Sequence, residues 1–111
     1  LWIALDNTTV QNGCLYFLPG THKTSHFEVG GNLEQVELEL FREYPQWEEI
    51  DPIAAEIKAG AGVFISGMVA HAAGPNMTTR PRRAFAMLFV PEGATFNGKK
   101  SALPDELFAK L

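Results

Sequence analysis

A chain of 111 residues is long enough for one domain with a modest core. Its net charge of −4 gives no footing for nucleic acid or an anionic membrane surface, and no apolar run reaches the roughly 20 residues of a membrane-spanning helix. The single cysteine, Cys14, cannot close an intrachain disulfide; it reads as a small buried hydrophobe, nothing points to secretion, and the cytoplasm is the expected compartment.

The chain opens on Leu1-Trp2-Ile3-Ala4-Leu5, without the charged region of a signal peptide. It looks like the middle of a strand, so the sequence reads as a fragment of a longer protein. Residues 1–5 form a short predicted strand, ended by Asp6-Asn7 and a threonine pair. Asn12-Gly13 is a turn signal, because both residues tolerate positive φ. Residues 14–18 are a second apolar run, stopped by Pro19-Gly20. The two runs read as paired strands, although their polar connection is longer than a two-residue hairpin.

His22 and His26 follow in a polar stretch. Their spacing suits a metal only on a helix, and Gly20 with the surrounding threonines and serine favours a loop. In residues 33–44 two patterns compete. Asn32 with Gln35 suits a helix N-terminus, and Leu33, Val36, Leu40 and Tyr44 make a helical stripe, whereas residues 36–40 alternate as a strand would. The reading adopted is a short helix. Pro45 and Pro52 bracket a loop around Trp47, and residues 53–58 read as a strand. Beyond Pro91 the chain is mostly irregular, with Pro104-Asp105-Glu106 opening a last helical turn.

Residues 59–90 organise the rest. A glycine-punctuated turn (Ala59-Gly60-Ala61-Gly62) leads to Val63-Phe64-Ile65, then His71, a Gly74-Pro75-Asn76 turn, Arg80-Pro81-Arg82-Arg83, and an apolar run over residues 84–90. That order suggests a β-hairpin carrying a metal ligand and an anion-binding cation at one end. About six short strands between glycine and proline turns argue for an all-β sandwich or barrel, and no helix alternates with them as a parallel α/β sheet requires.

Taken alone, His71 reads first as a histidine hydrogen-bonded to backbone and second as a ligand, with small neighbours Ala72, Ala73 and Gly74 leaving room beside the ring. Arg82 and Arg83 are adjacent, so strand alternation sends them to opposite faces. An inward arginine needs an anion, and a guanidinium suits a carboxylate through two parallel charged hydrogen bonds. The plainer reading is that Arg80, Arg82 and Arg83 are all solvated strand-end charges.

Two blocks make the pattern recognisable. Trp2-Ile3-Ala4-Leu5-Asp6 runs through Asn12-Gly13-Cys14-Leu15 to Pro19-Gly20-Thr21-His22-Lys23. Ala59-Gly60 and Val63-Phe64 lead to His71, Gly74-Pro75-Asn76 and Arg80-Pro81-Arg82-Arg83-Ala84. Together they resemble the phytanoyl-CoA dioxygenase family of iron(II)/2-oxoglutarate oxygenases. The resemblance implies a double-stranded β-helix, a cupin-like jelly roll of two antiparallel sheets. It implies iron held by His-x-Asp and a distal histidine, with positions open for 2-oxoglutarate and oxygen. On this resemblance His71 matches the distal metal ligand, Arg82 the arginine that pairs with the far carboxylate of 2-oxoglutarate, and Trp2 a wall of the cosubstrate pocket. Two positions depart from the family pattern: Ala61 stands where aspartate is usual, and Ala73 where a small hydroxyl residue often touches the cosubstrate.

No His-x-Asp occurs in the 111 residues, and His26-Phe27-Glu28 is its nearest variant. The family's motif falls shortly before the position of Trp2. The expectation is therefore one domain, residues 1–111, forming the C-terminal portion of an oxygenase domain as a partial barrel with a short helix or loop insertion. Its parent would hydroxylate a small organic or acyl substrate, while this chain alone would bind iron weakly and not turn over. The open sheet edge of such a barrel invites a second copy of the chain. The competing readings are a β-barrel binding module that has lost the metal site and a purely structural domain.

Overall fold

The computed structural model describes residues 1–26 and 36–95. Among these residues there are six short strands: β1 (Trp2–Ala4), β2 (Leu15–Phe17), β3 (Ile53–Ala55), β4 (Gly62–Val63), β5 (His71–Ala73) and β6 (Ala84–Ala86). One helix, α1 (Val36–Glu43), lies between β2 and β3. The fold is mostly β, as expected. The strands make two three-stranded antiparallel sheets, ordered β4-β1-β6 and β3-β2-β5.

The winding is that of a double-stranded β-helix left open. The β1–β2 segment is a ribbon whose two strands lie in different sheets. The β3–β4 segment pairs antiparallel along one side of it and the β5–β6 segment along the other. Each ribbon crosses from one sheet to the other at a corner. Among the described residues β5 and β6 are outermost on one side, β3 and β4 on the other, and the barrel does not close.

This corrects two expectations. β1 and β2 do not pair, because residues 5–14 turn a corner instead of reversing. Asn12 locks that corner: its Oδ1 accepts from the Thr9 N–H at 2.7 Å and its Nδ2 donates to the Asn7 carbonyl at 2.8 Å. Gly13 then takes φ +87°, and a Cβ there would lie 2.6 Å from the Gly74 carbonyl oxygen. Buried Thr8 pins the corner to Ile57, its N–H donating at 2.8 Å and its Oγ1 accepting from the Ile57 N–H at 3.1 Å. The 59–90 hairpin is also absent. β4 and β6 both pair with β1, which lies between them, and β5 belongs to the other sheet. β1 can sit so close to β4 because Gly62 has no side chain; a Cβ there would be 3.2 Å from the Trp2 carbonyl oxygen.

Other expectations hold with smaller changes. The strand expected over residues 53–58 is shorter, with Ile57 making an isolated bridge to Thr8. Cys14 is fully buried and free. The predicted helix is present as α1, while Asn32, Leu33 and Gln35 lie outside the described residues, as does the turn at Pro104-Asp105-Glu106. A satellite core ties α1 to the sheet region. Tyr44 stacks on Trp47 at 3.8 Å, its hydroxyl accepts from the His26 N–H and donates to the His26 carbonyl at 2.9 Å, and the Trp47 indole donates to Thr24 Oγ1 at 3.2 Å. Both rings are buried, which the loop reading of Trp47 did not foresee. No helix among the described residues is long and apolar enough to cross a membrane.

Candidate functional site

Trp2 lies in the middle of its sheet, paired with Val63 on one side and Ala86 on the other. Arg82 comes two residues before Ala84, which pairs with Ala4, so alternation puts Arg82 on the face that carries Trp2, Ala4 and Ala84. The guanidinium sits over the Trp2 ring, 5.4 Å from its centroid. That contact is a cation–π interaction, attractive but without hydrogen-bonding directionality. The Arg82 Nε is buried and has no hydrogen-bond partner among the described residues. A buried N–H of a permanent cation without an acceptor is costly and uncommon, and it marks a place where an anion fits.

Arg83 points the other way. Its Nη2 donates to Asp6 Oδ1 at 2.8 Å and its Nε to Asp6 Oδ2 at 3.0 Å, and its backbone N–H reaches the same Oδ2 at 2.8 Å. These bonds hold the Asp6 carboxyl down at about 2, the side-chain bond to Arg83 first among the causes. Alternation thus separates the two arginines as expected, and gives the outer one a carboxylate of its own.

His71 opens β5 on the second sheet, paired with Phe17 and stacked on its ring at 5.9 Å between centroids. The start of β5 is held by the Pro19–Gly20–Thr21 corner. Buried Thr21 donates its hydroxyl to the Leu18 carbonyl at 2.8 Å and accepts from the Ala70 N–H at 3.0 Å. Ser25 donates to the Met68 carbonyl at 2.6 Å. The imidazole itself is exposed, with Nδ1 2.9 Å from the Val69 carbonyl oxygen. A carbonyl only accepts, so the neutral ring carries its proton on Nδ1 and presents the Nε2 lone pair outward. Metal-binding histidines are oriented by the same kind of bond.

A cleft of about 370 Å³ follows β5 from Ala70 to Pro75. Tyr16 and Ala72, partners in the register, line it together with Leu18, and Leu40, Phe41 and Ile50 border it across the gap. Tyr16 and Ala72 lie on the opposite face of β2 and β5 from the Phe17–His71 pair. Burial pushes the Tyr16 hydroxyl up from its ordinary value, with Cys14 and Glu56 adding to it. Phe17 and His71 line the cleft as well, beside Ala73 and Gly74, so the room expected next to His71 is part of it; its far wall, from the α1 region, is what the sequence pattern did not point to.

Residues 1–84 match the family model described as phytanoyl-CoA dioxygenase. The chain belongs to that family. It is 33% identical over 90 residues to a phytanoyl-CoA dioxygenase of Arabidopsis thaliana, a match covering 78% of this chain and 30% of the relative. A phytanoyl-CoA dioxygenase domain-containing protein 1 homolog of Dictyostelium discoideum is 32% identical over 94 residues, covering 81% and 34%. A methylphosphonate hydroxylase of Gimesia maris is 30% identical over 89 residues, covering 78% and 31%. The chain spans about a third of the length of these curated relatives. No solved structure matches it.

Family members are in general iron- and 2-oxoglutarate-dependent. The orphaned Arg82 Nε beside Trp2 fits the carboxylate of such a cosubstrate. Iron is a different matter. Among the described residues no group of three His, Cys, Asp or Glu side chains could hold a metal ion, and His71 is a single donor. The described residues do not by themselves make an iron site.

Proposed function

We propose that this chain is the cosubstrate-anchoring part of an iron(II)/2-oxoglutarate-dependent oxygenase that hydroxylates a small organic or acyl substrate. In this reading Arg82 takes the far carboxylate of 2-oxoglutarate in a forked pair, and Trp2 forms the wall over which the guanidinium sits. His71 offers Nε2 as one metal ligand. The cosubstrate, when bound, would supply the 2-oxo acid that dioxygen oxidatively decarboxylates to succinate and carbon dioxide, one oxygen atom going to succinate and the other to the hydroxylated substrate. The observation that carries the reading is the buried, unpartnered Nε of Arg82 next to an Arg83 whose charge is already met by Asp6.

His-x-Asp is not among the 111 residues, so a turning-over enzyme needs two further ligands, and this chain alone is not expected to turn over. The same observation supports a second reading, a β-barrel binding module without iron. Anaerobic calorimetric titration of 2-oxoglutarate into the chain, with and without iron(II), separates them. Affinity in the micromolar range, about −8 kcal/mol, that needs iron and is lost in His71→Ala supports an assembled oxygenase site. Equal affinity without iron supports the module. No binding in either condition sinks both. The outermost strands β5 and β6, with Phe85 and Leu88 exposed nearby, also suit a second copy of the chain across the open edge, and light scattering that finds a clean monomer would exclude it.

A further inference from the structure

Arg82 has a cation–π partner in Trp2 but, among the described residues, no acceptor for its Nε, so something else must hold it in place. The neighbouring residue is held unusually well. The Leu5 N–H donates to the Arg83 carbonyl at 3.0 Å, and the Asp6 carboxylate accepts both the Arg83 backbone N–H and its side chain. Two consecutive residues at the end of β1 thus grip both backbone groups of residue 83. With that residue fixed, alternation leaves Arg82 one direction, toward Trp2.

As an ion pair alone, Asp6–Arg83 is unremarkable, because the Arg83 side chain is 66% exposed and exposed pairs contribute little. The bond to the backbone N–H is what an ion pair does not require. We propose that Asp6 is a positioning residue: its carboxylate clamps the backbone of residue 83 and so aims the Arg82 guanidinium over Trp2 to receive a dicarboxylate. The last clause rests on the oxygenase reading; the aiming of Arg82 does not. A second consequence follows from the same contacts. Asp6 occupies Arg83, so an incoming anion meets one unclaimed guanidinium of the adjacent pair.

The test reads Arg82 directly. Its Nε–H and δ-proton resonances, displaced by the Trp2 ring current, report the stacking in the ligand-free chain. In Asp6→Ala they are expected to move to the values of an unstacked arginine, and 2-oxoglutarate affinity to fall about tenfold. Arg83→Met keeps the charged acceptor on the backbone N–H and should leave the Arg82 signals in place. Asp6→Asn keeps only a neutral acceptor, a bond of roughly half the strength, and should move them part of the way. If Asp6→Ala does not fold, the partial movement in Asp6→Asn carries the test. Unmoved Arg82 signals in a folded Asp6→Ala or Asp6→Asn chain overturn the proposal. So does movement in Arg83→Met as large as in Asp6→Ala, since the ion pair and not the clamp would then be responsible. If the wild-type chain binds no 2-oxoglutarate while the signals respond as described, the positioning role stands and the oxygenase reading falls.

Discussion

In the β4-β1-β6 sheet the candidate arginine lies over Trp2 while the next residue is bound to Leu5 and Asp6. In the β3-β2-β5 sheet the candidate histidine stands exposed at the start of an outermost strand, stacked on Phe17 and oriented by one backbone carbonyl. The two side chains need different things. A cation that is to grip a carboxylate out of water must be aimed in advance, because leaving it unpaired in the wrong place is costly. A metal ligand needs a rotamer and a tautomer, and its affinity comes mostly from companions. The surroundings of the candidate arginine come from this chain, whereas among the described residues the candidate histidine belongs to no group of three metal donors.

The largest expected effect breaks the arginine side. Arg82→Ala should weaken 2-oxoglutarate binding by about 3 kcal/mol, roughly a hundredfold. Because the Nε has no acceptor among the described residues, the same substitution should leave thermal stability unchanged or raise it, as removing an unpaired buried polar group does. Calorimetry and a melting curve on one sample check both halves. Retained affinity would show that the anchor lies elsewhere and that the two sheets do not divide the labour in this way.

The next effect tests the support of the histidine side. Gly13→Ala puts a Cβ at φ +87° and 2.6 Å from the Gly74 carbonyl oxygen, at the turn through which the chain leaves β5. Backbone strain of this kind costs about 2 kcal/mol, read as a lower urea midpoint at unchanged slope. Gly74 is constrained in the same place, since a Cβ there would meet the Tyr16 ring at 2.9 Å. An unchanged midpoint would mean that the corner yields and that β5 is not held from below.

What the sequence revealed and what it hid follow the same physical line. Apolar runs between turn residues marked the strands, and alternation separated Arg82 from Arg83, because both are local properties of the chain. The resemblance singled out Trp2, His71 and Arg82 as candidates without any geometry. Pairing was another matter. Val63 and Gly62 find β1 across some sixty residues, and Ala86 finds it from farther still, so the apparent hairpin of residues 59–90 was adjacency in sequence without adjacency in space. The Asp6–Arg83 clamp spans 77 residues and was hidden for the same reason; Asp6 by itself reads as a strand stop. Trp47 looked like a loop residue, and Tyr44 like the end of a helical stripe, because their partners, Thr24 and His26, lie on the far side of the insertion.

The smallest effect sharpens the comparison through acid. The Asp6 carboxyl is lowered from 3.8 to about 2, first by the Arg83 side chain and then by the Arg83 backbone N–H. The folded chain therefore holds this proton less readily than the unfolded chain, and the stability that Asp6 contributes is complete above about pH 4 and lost as pH falls toward 2. Urea midpoints across that window should decline in the wild-type chain and decline less in Asp6→Asn, where no proton is taken up at residue 6. Arg83→Met should fall between the two, because the backbone bond still favours the ionised carboxylate after the side-chain bonds are gone. If Arg83→Met matched Asp6→Asn, the backbone bond would add nothing, and the arginine side would be held by an exposed ion pair that salt screens away.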